Sequence, residues 1–186
     1  MAVSAETHFN QLRTRIGAGT EAFRSLVEGL GDDALLWRPG PDRWGIADCL
    51  EHLIATGDAY HGTIRHAMAE ARAGAGWTRV YRPRLFGRLF LWVSSPRGRL
   101  RVKTMGPFVP PPASLDAFER FEGVQEDLLR LLDEAEGYDL QQVRVQSPAS
   151  RFIRLTLGEV LELLVSHVER HLAQARRVRD ADGFPG

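Results

Sequence analysis

Cysteine occurs once, apolar runs are short, and acidic residues are missing from a long stretch near the middle of the chain. Each shortage excludes something. Cys49 has no second cysteine to pair with, so no intrachain disulfide holds the fold, which fits a reducing compartment. The longest apolar stretch, Leu85 to Val93, is interrupted by Gly87 and Arg88. A membrane-spanning helix needs about 20 apolar residues, so no membrane partner is expected. The first residues include Glu6, His8 and Asn10 rather than an apolar signal core, and a cytoplasmic location is the expectation. Lys and Arg together number 24 and so do Asp and Glu, for a net charge of +0. That balance gives no global argument for nucleic acid or an anionic membrane as partner. There is no internal repeat and no low-complexity tail.

What remains is a chain of 186 residues, 44% of them hydrophobic, enough for one domain over residues 1–186 with a sizeable core. Four segments carry apolar residues at three- and four-residue steps, the mark of amphipathic helices. The first runs from about Ser4 to Leu30 with Phe9, Leu12, Ile16, Phe23 and Leu26 on its stripe, stopped by Gly31, and His8 reads as a surface residue near its free end. A loop from Trp37 to Gly45, rich in Pro and Gly, follows. Its two tryptophans, Trp37 and Trp44, either close the end of the core or wall a pocket. The second helix spans about Ile46 to Arg72 with His52 beside its apolar stripe, while His61 and His66 fall on other faces and are expected in solvent. The third runs from Ser114, a good N-cap, to about Ala135, and Gly137 stops it. Tyr138 to Arg154 reads as an irregular link. The fourth begins at Thr156, with Glu159 three residues on completing a capping box, and ends near Arg179.

The fold class expected is therefore all-α: a four-helix bundle, up-down-down-up, with a long crossover between helices two and three. That crossover, about 73–113, far exceeds the usual 2–8 residues between bundle helices. It holds Arg79, Arg82, Arg84, Arg88, Arg97, Arg99, Arg101 and Lys103 with aromatics between them, and a short helix is expected around Arg84 to Val93.

The chemistry is concentrated on the fourth helix. His167 and His171 are four residues apart, so about 40° separates them one turn apart on the same side. Two imidazoles at that spacing can share a metal; each can equally be a satisfied core residue. Val168, Glu169 and Arg170 lie between them, so this is not the His-Glu-x-x-His metalloprotease pattern. Gln174 returns to the same face and can touch whatever the pair binds. A third ligand has to come from elsewhere. With helices two and four antiparallel, His52 would lie at a similar height to the pair.

Two stretches resemble a known family. Trp44-Gly-Ile-Ala-Asp-Cys-Leu-Glu-His52-Leu53 is similar to the Trp-(Ser/Thr)…His-Leu signature of the DinB-like (YfiT-like) metal-dependent proteins, and His167-Val-Glu-Arg-His171-Leu-Ala-Gln174 to their His-x-x-x-His-x-x-Gln signature. The Lys103 to Pro110 stretch is similar to their crossover. The resemblance implies an up-down-down-up bundle, often a homodimer, with a divalent metal on three histidines, here His52, His167 and His171. It also implies a small-molecule substrate, since relatives include mycothiol-dependent isomerases and bacillithiol S-transferases. Gly45 departs from the pattern, which usually has a small hydroxylated residue there, and the departure removes an expected N-cap from helix two.

Three neutral imidazoles leave open positions on a metal, the arrangement of a catalytic rather than a structural site. Zinc or nickel is expected first and iron after them, because imidazole suits all of these. The metal would lower the pKa of a water or thiol, leading to hydrolysis or to thiol transfer with a low-molecular-weight thiol as cosubstrate. The alternative is a non-catalytic bundle that binds a ligand or another subunit, with the metal structural or absent. Asp48, one turn before His52, is either a support for that ligand or a surface residue at a helix start. The crossover arginines either hold an anionic substrate or face solvent; the proline-broken chain and neutral total charge make nucleic acid the weakest reading of them.

Overall fold

The computed structural model describes residues 3–71, 80–84, 87, 91–92, 95 and 106–186. It is mostly helix with little strand, an all-α protein. Most of the crossover, including most of the arginines, lies outside the described residues; of the short helix expected around Arg84 to Val93, Gly87, Leu91 and Trp92 are described and are helical.

A two-residue strand β1 (Val3–Ser4) leads into α1 (Ala5–Val27). The Ser4 hydroxyl accepts the Thr7 amide at 3.0 Å, a side-chain N-cap. The helix stops earlier than its apolar stripe suggests. Gly29, at φ +77°, turns the chain in a conformation that favours glycine, so it and not Gly31 ends the element. A single short helix, α2 (Asp32–Leu36), then leads into the tryptophan loop.

α3 (Ile46–Glu70) begins at Gly45. The missing hydroxylated cap is answered by one contact and excluded by another. The Asp48 carboxylate accepts the Gly45 amide at 2.8 Å, the return half of a capping box. The Trp37 carbonyl crowds the other side: a Cβ on Gly45 would lie 2.1 Å from that oxygen. Glycine stands here for space rather than conformation, since its φ is −83°.

α4 (Ala117–Ala135) has its N-cap at Asp116, two residues later than expected. Ser114 is not its N-cap; its hydroxyl donates to Glu51 Oε1 at 2.6 Å and ties the start of α4 to α3. The link expected to be irregular contains a hairpin, β3 (Arg144–Gln146) against β4 (Arg154–Thr156), antiparallel with Val145 opposite Leu155. Both of those residues are buried while Arg144, Gln146 and Arg154 are exposed. The alternation of the two three-residue strands was too short to register as a strand signal. α5 (Leu157–Arg179) follows at once, opened by the expected Thr156–Glu159 capping box.

α3 packs against α4 and α5, and α1 packs against the same two. The core has two apolar clusters along the helices. One gathers Phe9, Leu12, Ile16, Tyr60, Ile64, Leu131, Leu161 and Leu164 with the hairpin's Val145 and Leu155. The other gathers Phe23, Leu50, Leu53, Phe121, Val168, Leu172 and Ala175. Phe23 and Phe121 meet edge to face at 5.1 Å, both fully buried.

Two histidines expected in solvent are buried. β1 pairs with β2 (Val80–Tyr81), Val3 opposite Tyr81, and this lays the start of the crossover over the first turn of α1. His8 is covered as a result and stacks on Tyr81 at 4.0 Å. His61 is buried where α3 meets α4, whereas His66 stays exposed near Glu70. Further along, the crossover is fastened at separate points on α5: the Arg84 amide donates to Glu159 Oε1 at 2.8 Å, and Arg170 donates to the Ser95 carbonyl at 3.1 Å.

Candidate metal centre

The two-turn match between α3 and α5 brings His52, His167 and His171 together. Their rings lie at centroid distances of 5.0 Å (His52 to His167), 4.8 Å (His52 to His171) and 4.5 Å (His167 to His171). One nitrogen from each falls within 4.8 Å of the other two, and no Asp, Glu or Cys joins them among the described residues. His52 and His171 are buried; His167 is intermediate as a whole residue, with its ring desolvated.

The protonation of His52 follows from its partner. Its Nδ1 lies 2.7 Å from the Phe108 carbonyl oxygen. A carbonyl only accepts, so Nδ1 carries the proton and Nε2 of the neutral ring is a bare lone pair. That lone pair faces His167 Nε2 at 2.9 Å. Two bare nitrogens at this distance repel; either His167 supplies a proton to the gap or a cation takes the proton's place. Zinc–imidazole bonds of about 2.0–2.1 Å put two ligand nitrogens roughly 3–4 Å apart, so the donor set suits one ion with a small rotation of a ring. His171 Nδ1 is buried with no hydrogen-bond partner among the described residues, a polar atom that costs about 1–3 kcal/mol unless something engages it.

Burial keeps all three rings neutral, the form that binds metal. Desolvation is the main cause for each. It lowers His52 against the pull of the Phe108 carbonyl. It takes His167 down to about 3, helped by His52 and the Arg170 guanidinium. His171 falls well below the ordinary value, with His167, His52 and Arg170 adding to burial and Gln174 opposing weakly.

The residues around the rings divide. Trp44 stacks at an angle over His52 (4.9 Å) and His171 (5.8 Å) and walls the group. Trp37 instead closes the core end against Phe184, so each tryptophan follows one of the two expected roles. Asp48 is buried and held by both Arg38 nitrogens, Nε at 2.7 Å, and by the Gly45 amide. It touches none of the three histidines in the hydrogen bonds described and sits in the first turn of the helix that carries His52. The neighbouring Glu51 is fully buried and pairs with Arg120 at 2.9 Å. The Phe108 carbonyl left no trace in the sequence, since any residue supplies one. Its placement comes from a 3₁₀ turn, Gly106–Phe108, opened by Gly106 at φ +60° and seated by Phe108 stacking on Tyr60 at 5.6 Å.

Compared with known proteins, the chain matches the family model of the DinB superfamily over residues 15–175. No curated protein and no solved structure matches it.

Proposed function

The chain belongs to the DinB superfamily, and from that premise we propose that it is a metal-dependent enzyme, a thiol S-transferase or isomerase or a hydrolase, with His52, His167 and His171 holding a divalent ion. The observation that carries this reading is the bare Nε2 of His52, fixed by the Phe108 carbonyl and turned toward His167. A core histidine has no need of that arrangement; a ligand does, because the hydrogen bond on the far nitrogen sets tautomer and ring angle. Zinc or nickel, and then iron, fit an all-imidazole set. When bound, such an ion supplies Lewis-acid chemistry and lowers the pKa of a water or thiol.

The chain's own residues supply the rest. Trp44 gives an apolar wall that keeps water from one side of the rings and offers a face for a small-molecule substrate. Gln174, one turn past His171, is a polar group for orienting a substrate or a low-molecular-weight thiol. Asp48 anchors the start of α3 and so the height of His52. In support of an up-down-down-up order, Arg13 and Arg24 on α1 reach Glu136 and Glu122 on α4, while Arg15 reaches Glu162 and Glu169 on α5 and Arg65 reaches Glu134 on α4. A homodimer in the cytoplasm belongs to the same proposal and rests on the family resemblance and the composition.

One observation favours the second reading, a non-catalytic bundle. The two carboxylates nearest His52 in sequence are engaged, Asp48 with Arg38 and Glu51 with Arg120, so neither is free as a general base. Element analysis of the purified chain decides first. One equivalent of a first-row metal, lost in His167→Ala while the helical content stays, supports the metal site; a metal-free chain whose stability the substitution leaves unchanged sinks it. Turnover across a panel of thiols and electrophiles, wild type against His52→Ala, then separates enzyme from binding protein.

A further inference from the structure

Beside His167, where α3, α4 and α5 meet, lies a second polar feature that the metal reading does not use. α3 and α4 touch at Gly57, where a Cβ would come within 2.4 Å of Val124 Cγ1. The close approach leaves a cavity of about 10 Å³, counted as space for the centre of a water molecule, and Thr56, Gly57, His61, Val124, Gln125 and His167 are among its walls. That is room for one water and no more. Two of the lining side chains are buried and incomplete: His61 Nε2 and Gln125 Oε1 have no hydrogen-bond partner among the described residues. A buried polar atom left unpaired is costly, and two beside one water-sized space are what an ordered water satisfies.

We propose that one water molecule occupies this cavity, donating to Gln125 Oε1 and His61 Nε2 and accepting from His167 Nδ1, and that through it Gln125 and His61 position His167 as a ligand. The inference rests on the metal reading above for its purpose. The accounting closes. His167 turns Nε2 toward His52, so as a neutral ligand its proton sits on Nδ1 and needs an acceptor. The Thr56 hydroxyl already donates to the His52 carbonyl at 2.7 Å, leaving only its lone pairs for the cavity. Gln125 Oε1 can only accept, and the neutral His61 ring accepts on Nε2 in the tautomer that carries its proton on Nδ1. The water has two protons for these two acceptors and a lone pair for His167. His52 takes its orientation from a backbone carbonyl; His167 takes its own from this water.

The test has two arms. The first is a high-resolution crystal structure of the wild-type chain grown with zinc. A water peak within hydrogen-bond distance of His61 Nε2 and the Gln125 amide is expected; a dry cavity overturns the proposal whether or not zinc is bound. The second is zinc affinity by chelator competition, alongside the melting temperature of the metal-free chain, for Gln125→Leu and, as an independent variant, His61→Phe. Loss of a group that orients a ligand costs about 10- to 100-fold in affinity. The metal-free Gln125→Leu chain should melt no lower than wild type, because it loses an acceptor that has no protein partner. Unchanged affinity in both variants overturns the proposal. A fall in melting temperature with unchanged affinity marks a merely structural role and overturns it too. A wild-type chain that binds no zinc removes the metal reading and with it the positioning role, while the water peak still decides what the cavity holds.

Discussion

At Gly45 a single missing side chain shows how far a residue can be read alone. From the sequence it is a lost cap. In the structure the lost hydroxyl is answered by Asp48, and the site has no room for one, with the Trp37 carbonyl 2.1 Å from where a Cβ would sit. Gly45→Ser tests which effect wins. A serine cap gains only a few tenths of a kcal/mol over glycine. Displacing a backbone carbonyl beside a fully engaged carboxylate costs more, on the order of 1–3 kcal/mol. The variant should unfold at lower denaturant concentration than wild type despite restoring the residue type expected there; an unchanged or higher midpoint refutes the steric account. The three histidines were legible because side-chain type and spacing carry them. The Phe108 carbonyl was not, because a backbone acceptor has no identity in sequence. His8 and His61 were misplaced in solvent for a related reason: what buries them is a strand pairing and a glycine contact over long sequence separations.

Elements were legible in proportion to their length. The four long helices carry many turns of periodic apolar residues and their ends fall within a few residues of expectation. The β3–β4 hairpin is only three residues per strand, with one buried residue on β3 and two on β4, too short for its alternation to mark strands in the sequence. The crossover is legible as an anomaly only, and one of its two described fastenings to α5 is a single carboxylate. Glu159 closes the capping box of α5 through the Thr156 amide and also accepts the Arg84 amide, both at hydrogen-bond distance. A Cβ on Gly87 would lie 2.1 Å from the same carboxylate, so the crossover presses directly on it. Glu159→Ala removes both bonds at once and leaves two amides without their acceptor. Stability should fall by about 1–3 kcal/mol. Limited proteolysis should cut within residues 82–105 faster than in wild type, while the long helices stay protected. Equal cutting rates would mean that the crossover is held by other contacts.

For the whole molecule, burial of histidine sets a limit on acid stability. His8, His52, His61, His167 and His171 all have their pKa lowered, in each case chiefly by desolvation. In the unfolded chain these rings titrate near 6.5. Below that pH the unfolded state binds protons that the native state refuses, so stability is fully present above about 6.5 and is lost as pH falls toward the native values. Each ring contributes a slope of up to about 1.4 kcal/mol per pH unit until it protonates in place. Total stabilities are about 5–15 kcal/mol, so several such rings acting together consume much of it within one to two pH units. The metal-free chain should therefore lose stability from about pH 6.5 downward, well above the range in which carboxylates titrate. A divalent ion binds only the neutral native rings, and at 100 times its Kd it adds about 2.7 kcal/mol. Saturating zinc should move the acid midpoint to lower pH, and a chelator should return it. Equilibrium denaturation at half-unit steps between pH 8 and pH 4, with and without zinc, reads both effects. A curve flat down to about pH 4.5 would show that the histidines are not the groups that limit the fold. A midpoint unmoved by zinc, with the histidine slope intact, would leave the five rings as buried core residues and take the ion away from three of them.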